Sequence, residues 1–506
     1  MMALHESTRG LLLNNLLAGL TEYPMDTNRE ITGISIDSRK TSQGDLFLAC
    51  HGTNTCGAEY THDAVKAGAA AIAIEAELAC DDQGLDVPVI PVNDLRHRAG
   101  IIAARFYGQP AEDLDVIGIT GTNGKTSVSH FLAQALAGYK DKTTGLIGTL
   151  GYGPFERLHP ARNTTPDPIT LQSTLSQMRD QGINTAMVEV SSHGLDQGRV
   201  SGLRFGIAIF TNLSHEHLDY HGDMDTYAQA KKQLFLSRGL KFAVINSDDE
   251  YGRTLLEELS DSLPVIGYGL VDEFPADMTG LRSSVTAVIH NECSDVTDLD
   301  INTPWGRGRL CCRVGGRFNA YNLLACLSAL CLLDVPFPEA LERLSRVSCV
   351  PGRMENFGGK GDPLVIVDYA HTPDALENVL SGLRVQCQGR LVCVFGCGGE
   401  RDKGKRPHMG RLAEQYADQI VLTNDNPRGE DPKAIIQDII AGINRDEAVL
   451  VESDRTRAIS AAIRSAAAND IVLIAGKGHE TYQEISARRY PFSDRQLVRN
   501  LLERKP

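Results

Sequence analysis

Residues Val116-Ile-Gly-Ile-Thr-Gly-Thr-Asn-Gly-Lys-Thr-Ser127 constrain this chain more than any other stretch. An apolar run, Val116 to Ile119, enters a Gly-rich loop ending in Gly124-Lys125-Thr126, and a helical pattern follows (Val128, Phe131, Leu132, Ala135, Leu136). Strand, loop and helix in that order predict a P-loop, whose backbone N–H groups and helix N-terminus face a polyphosphate. Gly121, Thr122, Asn123, Gly124 and Ser127 would surround the phosphates. Lys125 would supply a cation and the Thr126 hydroxyl would ligate Mg²⁺, so a nucleoside triphosphate is the expected ligand. The spacing is not the usual one, because G-x-x-x-x-G-K-[ST] requires glycine at position 119 and Ile119 stands there. A chance Gly-rich turn is the competing reading, and the Lys-Thr pair with its flanks weighs against it.

At 506 residues the chain is too long for one core. A net charge of −15, with no basic block, argues against a nucleic-acid binder held by phosphate contacts. An anionic substrate then needs local Arg, Lys or metal to overcome the general field. No apolar run reaches membrane-spanning length. Leu11 to Leu20 is short, contains Asn14 and Asn15, and lacks a cleavage pattern. The expectation is a cytoplasmic protein, here taken as a monomer. The 12 cysteines show no paired C-x-x-C spacing, so reduced thiols are expected.

Three α/β domains are expected. Residues 1–94 form a small unit, with Ser35 to Arg39, Gly44 to Cys50, a helix near His62 to Ala67, and apolar runs at Ala70 to Ile74 and Val87 to Val92. In residues 95–350, short apolar runs alternate with helical patterns, which predicts a mainly parallel sheet. Residues 280–315 read instead as an antiparallel patch, and a helix from Asn319 to Leu333 follows. Residues 351–506 repeat the alternation, with runs at Pro363–Val367, Leu391–Phe395, Gln419–Leu422, Ala448–Val451 and Ile471–Ala475, giving a second, Rossmann-like doubly wound unit.

Polar groups gather where these runs end, as ligand groups do in such sheets. Glu189 lies near the end of the run Thr185 to Val190 and is a candidate metal ligand. Asn212-Leu-Ser-His-Glu-His-Leu-Asp-Tyr-His221 follows the run Ile207 to Phe210, expected to lie beside the first. His215, His217 and His221 invite a zinc reading, but no thiolate is near, and a phosphoryl-transfer site prefers Mg²⁺ with oxygen ligands. Val394 to Lys405 invites a dinucleotide fingerprint, but Gly396, Gly398 and Gly399 are followed by Arg401 rather than glycine, so NAD is disfavoured. Asn163-Thr164-Thr165-Pro166 and Asp425-Asn426-Pro427-Arg428 read locally as polar turns.

Taken together, Thr-Gly-Thr-Asn-Gly-Lys-Thr, Glu189-Val-Ser-Ser-His, the His217 segment and Asp425-Asn-Pro-Arg428 resemble the Mur ligase family, and the likeness runs from Ser35 to Arg495. The resemblance implies a uridine-binding domain, a central ATPase-like domain and a C-terminal amino-acid-binding domain. It implies an ATP-dependent amide ligase of peptidoglycan precursor synthesis. Its substrates would be a UDP-N-acetylmuramoyl dipeptide and meso-diaminopimelate. Thr126 and Glu189 would share one Mg²⁺. Glu189, His217 and Lys231, the last carbamylated to N6-carboxylysine, would share a second. On sequence alone Lys231 is an ordinary solvated helix lysine. Ile36, Ser38, Thr53, Asn54, Thr55, Asn163, Thr164, Thr165, Ser191, Gln197 and Arg199 match contacts to the UDP substrate. Asn319, Arg353 and Asp368 match the nucleotide site, with Asn322 and His371 near it. Arg401, Asp425, Asn426, Pro427, Arg428, Gly476 and Glu480 match the diaminopimelate site. There Arg428 could pair the second carboxylate, which lysine lacks, and Glu480 the distal ammonium. Cys56-Gly57 stands where relatives often have Asp-Gly, which leaves the uridine loop less defined. A lysine-adding sister, a folylpolyglutamate synthase and a non-catalytic nucleotide-binding scaffold are the alternatives.

Overall fold

The computed structural model describes residues 10–22, 28–52, 55–79, 84–274, 283–292, 296–359, 361–445, 449–486 and 488–503. The chain divides into two compact units. The first holds Met1–Thr120, Ala137–Ala208 and Ala230–Lys241, and the second holds Gly121–Leu136, Ile209–Gln229 and Phe242–Pro506. The division falls inside the strand Ile207–Phe210.

In the first unit, strands Gly33–Ser35, Asp45–Ala49, Ala71–Glu75 and Val89–Val92 pair in that order, all parallel. Alternation along Asp45–Ala49 sends Leu46 and Leu48 to one face and Phe47 and Ala49 to the other, and all four are buried. One face packs on Leu95, Ala99, Ile102 and Phe106 of the helix Leu95–Phe106. The other packs on Ala64 of the helix Thr61–Lys66. Burial on both faces is why these strands read as unbroken apolar runs. A second group of strands places Thr185–Glu189 between Asp115–Thr120 and Thr144–Gly148, parallel to both. Those two strands are its neighbours, so Ile207–Phe210 does not lie beside Thr185–Glu189 as its position in sequence suggested. The chain crosses over, and order in sequence is not order in the sheet.

In the second unit, Phe242–Asn246, Val265–Leu270 and Ser284–Glu292 pair in parallel. The last continues antiparallel through Thr297–Thr303 and Gly306–Cys312, the patch expected near 280–315. The buried helix Arg317–Leu332 follows. A six-stranded sheet has the order Glu355–Gly358, Leu364–Asp368, Ile471–Ala475, Leu391–Phe395, Gln419–Leu422, Val449–Val451. It is parallel apart from its first, antiparallel edge strand. Leu391, Cys393 and Phe395 face one apolar layer and Val392 and Val394 the other. The expected strand ends of this sheet hold within a residue, and Ala448 lies outside the described residues.

Candidate functional site

The loop Gly121–Gly124 leaves the strand Asp115–Thr120 and enters the helix Lys125–Leu136. Gly121 has φ +144° and Gly124 φ +88°. A Cβ on Gly121 would lie 1.9 Å from Thr211 Oγ1, and one on Gly124 would lie 2.6 Å from Asn322 Oδ1. Ile119 is a buried strand residue, 0% exposed. The unusual spacing therefore has a steric reason: glycine is needed at 121 and 124, and a core side chain is needed at 119.

Hydrogen bonds fix the loop. Thr122 N donates to Asn212 O at 2.8 Å. Asn123 N donates to Asn212 Oδ1 at 2.8 Å, and Thr211 Oγ1 donates to Asn123 O at 2.5 Å. Ser214 N donates to Thr122 Oγ1 at 3.0 Å, and the Tyr227 hydroxyl lies 3.1 Å from the same oxygen. Lys125 Nζ reaches Gly121 O at 2.6 Å and Thr122 O at 2.8 Å. Thr126 and Ser127 are buried on the first helical turn. Arg353 Nη2 lies 3.4 Å from Thr126 Oγ1.

A cavity of about 450 Å³ adjoins this loop, with Asn123, Gly124, Ser127, Asn322, Arg353 and Asp368 among its walls. Asn319 stands behind Asn322, accepting its amide at 3.0 Å and donating to Gly315 O at 2.8 Å. Asp368 accepts the backbone N–H groups of Met354 and Ala370, each at 2.7 Å, while burial pushes its carboxyl pKa up. Asp374, which sequence reasoning missed, accepts Asn123 Nδ2 at 2.8 Å and Ser214 Oγ at 3.3 Å. It lies in the first turn of the helix Pro373–Gln386, where a carboxylate is ordinary, so nothing in the sequence marked it.

Glu216 was also missed. Its carboxylate lies 3.3 Å from His371 Nε2 and 3.6 Å from His217 Nε2. Burial opposes its ionisation, but the hydrogen bond from His371 and the charges of His217, His371 and Lys125 hold its carboxyl well below the usual range. His217 adopts φ +57° just before the helix Leu218–His221. Among the described residues no three of His, Cys, Asp and Glu gather as a metal cluster.

In the first unit, Glu189 is 1% exposed. A Cβ on Gly148 would lie 2.2 Å from Glu189 Oε1, so the strand beside it must be bare there. Thr149 Oγ1 donates to Glu189 Oε2 at 2.8 Å and lies 3.0 Å from Thr164 Oγ1. Thr165 Oγ1 donates to Glu189 O at 2.8 Å and accepts Ser191 N at 2.9 Å. Arg199 donates to Thr165 O at 2.8 Å and holds Gln197 Oε1 through Nε and Nη2 at 3.1 and 2.6 Å. The structure thus brings Thr164, Thr165, Glu189, Ser191, Gln197 and Arg199 into one network, with Asn163 exposed beside it. Ile36 and Ser38 sit just beyond the strand Gly33–Ser35. Gly52 N donates to Thr55 O at 2.9 Å, and Thr53 and Asn54 lie outside the described residues. Lys231, in the helix Met224–Lys232, is 1% exposed, so the solvated-lysine reading is corrected; Lys232 is only partly buried.

The second unit also gathers the C-terminal candidates. Gly476 has φ +111°, and a Cβ there would lie 2.6 Å from Asp425 Oδ2. Asn426 Nδ2 donates to Glu480 Oε2 at 2.8 Å, so the loop Asp425–Arg428 meets the loop Gly476–Glu480. Arg428, φ +51°, donates from Nη1 to Gly399 O at 2.8 Å. Its backbone is pinned by Glu484 O and Ser486 N at 3.0 and 2.7 Å. Pro427 is buried and Arg401 exposed, its Nη1 3.3 Å from Glu400 O. Beneath both loops, Arg455 and Asp494, each 0% exposed, pair at 2.7 Å. Arg455 also donates to Ala475 O at 3.0 Å and Asn424 O at 3.5 Å. Arg455 belongs to an unremarkable helical pattern and carried no signal in the sequence. Among the described residues, no helix is long and apolar enough to cross a membrane.

The Mur ligase family catalytic domain matches residues 30–107, the Mur ligase middle domain 119–330, and the Mur ligase glutamate ligase domain 352–478. A UDP-N-acetylmuramoyl-L-alanyl-D-glutamate–2,6-diaminopimelate ligase of Coxiella burnetii is 50% identical over 467 residues, 92% of this chain and 94% of that one. A solved structure of a ligase of the same name is 33% identical, with TM-score 0.70, covering 98% of this chain and 99% of that one. The MurF ligase of Thermotoga maritima, solved with ADP, shares the fold at 16% identity and TM-score 0.61, over 93% of this chain and 96% of that one.

Proposed function

This chain belongs to the Mur ligase family, and from that premise we propose that it joins meso-diaminopimelate to the D-glutamyl γ-carboxylate of UDP-N-acetylmuramoyl-L-alanyl-D-glutamate, using ATP. The observation that carries the reading is the meeting of Asp425–Arg428 with Glu480: Asn426 Nδ2 lies 2.8 Å from Glu480 Oε2, in a chain 50% identical to a ligase named for this reaction. Diaminopimelate has a second carboxylate for the Arg428 fork and a distal ammonium for Glu480. Arg401, Asp425, Pro427 and Gly476 complete that site.

Gly121, Thr122, Asn123, Gly124, Lys125, Thr126 and Ser127 hold the triphosphate, with Asn319, Arg353 and Asp368 around the cavity. Ile36, Ser38, Thr53, Asn54, Thr55, Asn163, Thr164, Thr165, Ser191, Gln197 and Arg199 hold the UDP substrate. The γ-carboxylate oxygen attacks the γ-phosphorus of ATP, the bond to the β–γ bridging oxygen breaks, and ADP leaves. Lys125 balances the charge on the transferring oxygens. The amine of diaminopimelate then attacks the acyl carbon, phosphate departs, and the amine's proton is lost as the amide forms. Water must be kept from the acyl phosphate, which would otherwise hydrolyse.

The donors suit Mg²⁺: the Thr126 hydroxyl and the buried Glu189 carboxylate offer oxygen. As the resemblance implies, Thr126 and Glu189 would hold one ion and Glu189, His217 and Lys231, the last as carbamate, a second, and the ions would neutralise phosphate charge. The burial of Lys231 supports this reading, since a dry site favours the neutral amine that adds CO₂, and a cation beside it would offset the carbamate's charge.

We read residues 1–94, 95–350 and 351–506 as the UDP-substrate, ATP and amino-acid domains of a cytoplasmic monomer. The test offers the purified chain ATP, Mg²⁺, the UDP-muramoyl dipeptide and either meso-diaminopimelate or lysine, and measures ADP and amide. Diaminopimelate-dependent ADP and product support the reading. ADP formed with lysine alone would assign the sister activity.

A further inference from the structure

We infer that Lys477 is a positioning residue of the amino-acid site, its buried ammonium fixing which way the Asn426 amide and the Glu480 carboxylate face. This rests on the reading that Asn426, Arg428 and Glu480 bind meso-diaminopimelate.

Lys477 lies between Gly476, φ +111°, and Gly478, φ +50°. A Cβ on Gly478 would lie 2.5 Å from Gly352 O, so the backbone turns where no side chain fits. That turn carries the lysine inward, where it is 0% exposed. An ammonium removed from water must have its donors used. Its Nζ donates to Glu480 Oε2 at 2.7 Å and Asn426 Oδ1 at 2.9 Å, and lies 5.6 Å from the centre of the Tyr482 ring.

Asn426 Oδ1 also accepts Glu484 N at 2.9 Å, while its Nδ2 donates to Glu480 Oε2 at 2.8 Å. Both lone pairs of the amide oxygen are therefore filled. Turning the amide over would set its NH₂ group against an ammonium and a backbone N–H. The lysine thus locks the orientation that leaves one Asn426 N–H to donate towards a ligand carboxylate. By taking Glu480 Oε2, it also leaves Oε1 to accept from a ligand ammonium. These two groups match the distal end of diaminopimelate, and lysine offers only the ammonium.

Lys477→Met keeps the stem and removes the charge. Expected is a rise of about tenfold or more in KM for meso-diaminopimelate, with KM for ATP and for the UDP dipeptide within about twofold of wild type. The preference for diaminopimelate over lysine narrows, and the effect is not additive with Asn426→Ala. Lys477→Arg, which retains the charge, recovers part of that preference. Should Lys477→Met not fold by circular dichroism, Lys477→Gln carries the same test. A wild-type KM for diaminopimelate in the charge-free variant, an equal rise in all three KM values, or full additivity overturns the proposal. A wild-type chain that makes no amide from diaminopimelate overturns the underlying reading and the proposal with it, which the wild-type assay reveals before any variant is made.

Discussion

Acidification should weaken this protein through His479, and the size of the effect follows from its surroundings. Burial lowers the imidazole pKa to about 3, with Arg353 the next largest contributor. The ring lies 4.9 Å from that of Tyr369, and its buried Nδ1 has no hydrogen-bond partner among the described residues. In the unfolded chain the same group titrates near its ordinary value of about 6.5. The folded pKa is depressed, so the unfolded state binds the extra proton first. Stability is then fully present above about pH 6.5 and falls as the pH drops towards the folded value. Each unit contributes about 1.4 kcal/mol, so going from about pH 7.5 to about pH 5 should cost about 2 kcal/mol through this residue. His479→Gln removes that term. The raised pKa values of Asp368 and Asp374 act in the opposite direction but are common to both proteins and cancel in the difference. Urea unfolding of wild type and variant across the range should show the stability difference shifting by that amount. Deuterium exchange at the imidazole carbon, read by mass spectrometry, should place the native titration far below the ordinary value. Parallel pH slopes, or a native midpoint near 6.5, would refute the reasoning.

Arg428→Ala should lose about 2 kcal/mol or more of transition-state binding with diaminopimelate, read as kcat/KM, while lysine is little affected. Lys231→Arg should abolish most turnover with no rescue by added CO₂, and isotopically labelled CO₂ should be taken up by wild type and not by the variant in native mass spectrometry. Asp494→Ala leaves the buried Arg455 charge without its partner, and should lower unfolding free energy by about 3–5 kcal/mol in chemical denaturation. Removing Mg²⁺ with a chelator should stop ADP formation, and added Mg²⁺ should restore it.

Much of the fold was legible because both faces of the parallel sheets are buried. Leu391–Phe395, Gln419–Leu422 and Ile471–Ala475 stand where the apolar runs placed them. Polar edge strands such as Tyr482–Ile485 and Arg488–Pro491 carry no such run and escaped notice. Strand order was lost for another reason: which strand lies beside Thr185–Glu189 depends on crossovers of the whole chain. The nucleotide loop was legible because strand, Gly-rich loop, Lys-Thr pair and helix follow one another in a single short stretch, although the groups its glycines clear, Thr211 and Asn322, lie far along the chain. Asp374, Glu216, Lys477 and Arg455 were not, since each acts through partners far along the chain. Asn123 and Asp374, for example, are 251 positions apart.

Lys231 and Lys232 are chemically alike, yet one is sealed from solvent and the other is not. What separates them is rotation, about 100° per residue around a helix axis. The phase of that rotation is set at the helix entrance, where Asp223 Oδ1 takes the Thr226 N–H at 2.7 Å after the left-handed turn at Gly222. One residue deleted between that entrance and Lys231 would swing the neighbouring lysine into the interior without altering the chemistry of either side chain. For this helix, spacing from the entrance is therefore as heritable a trait as the amine itself.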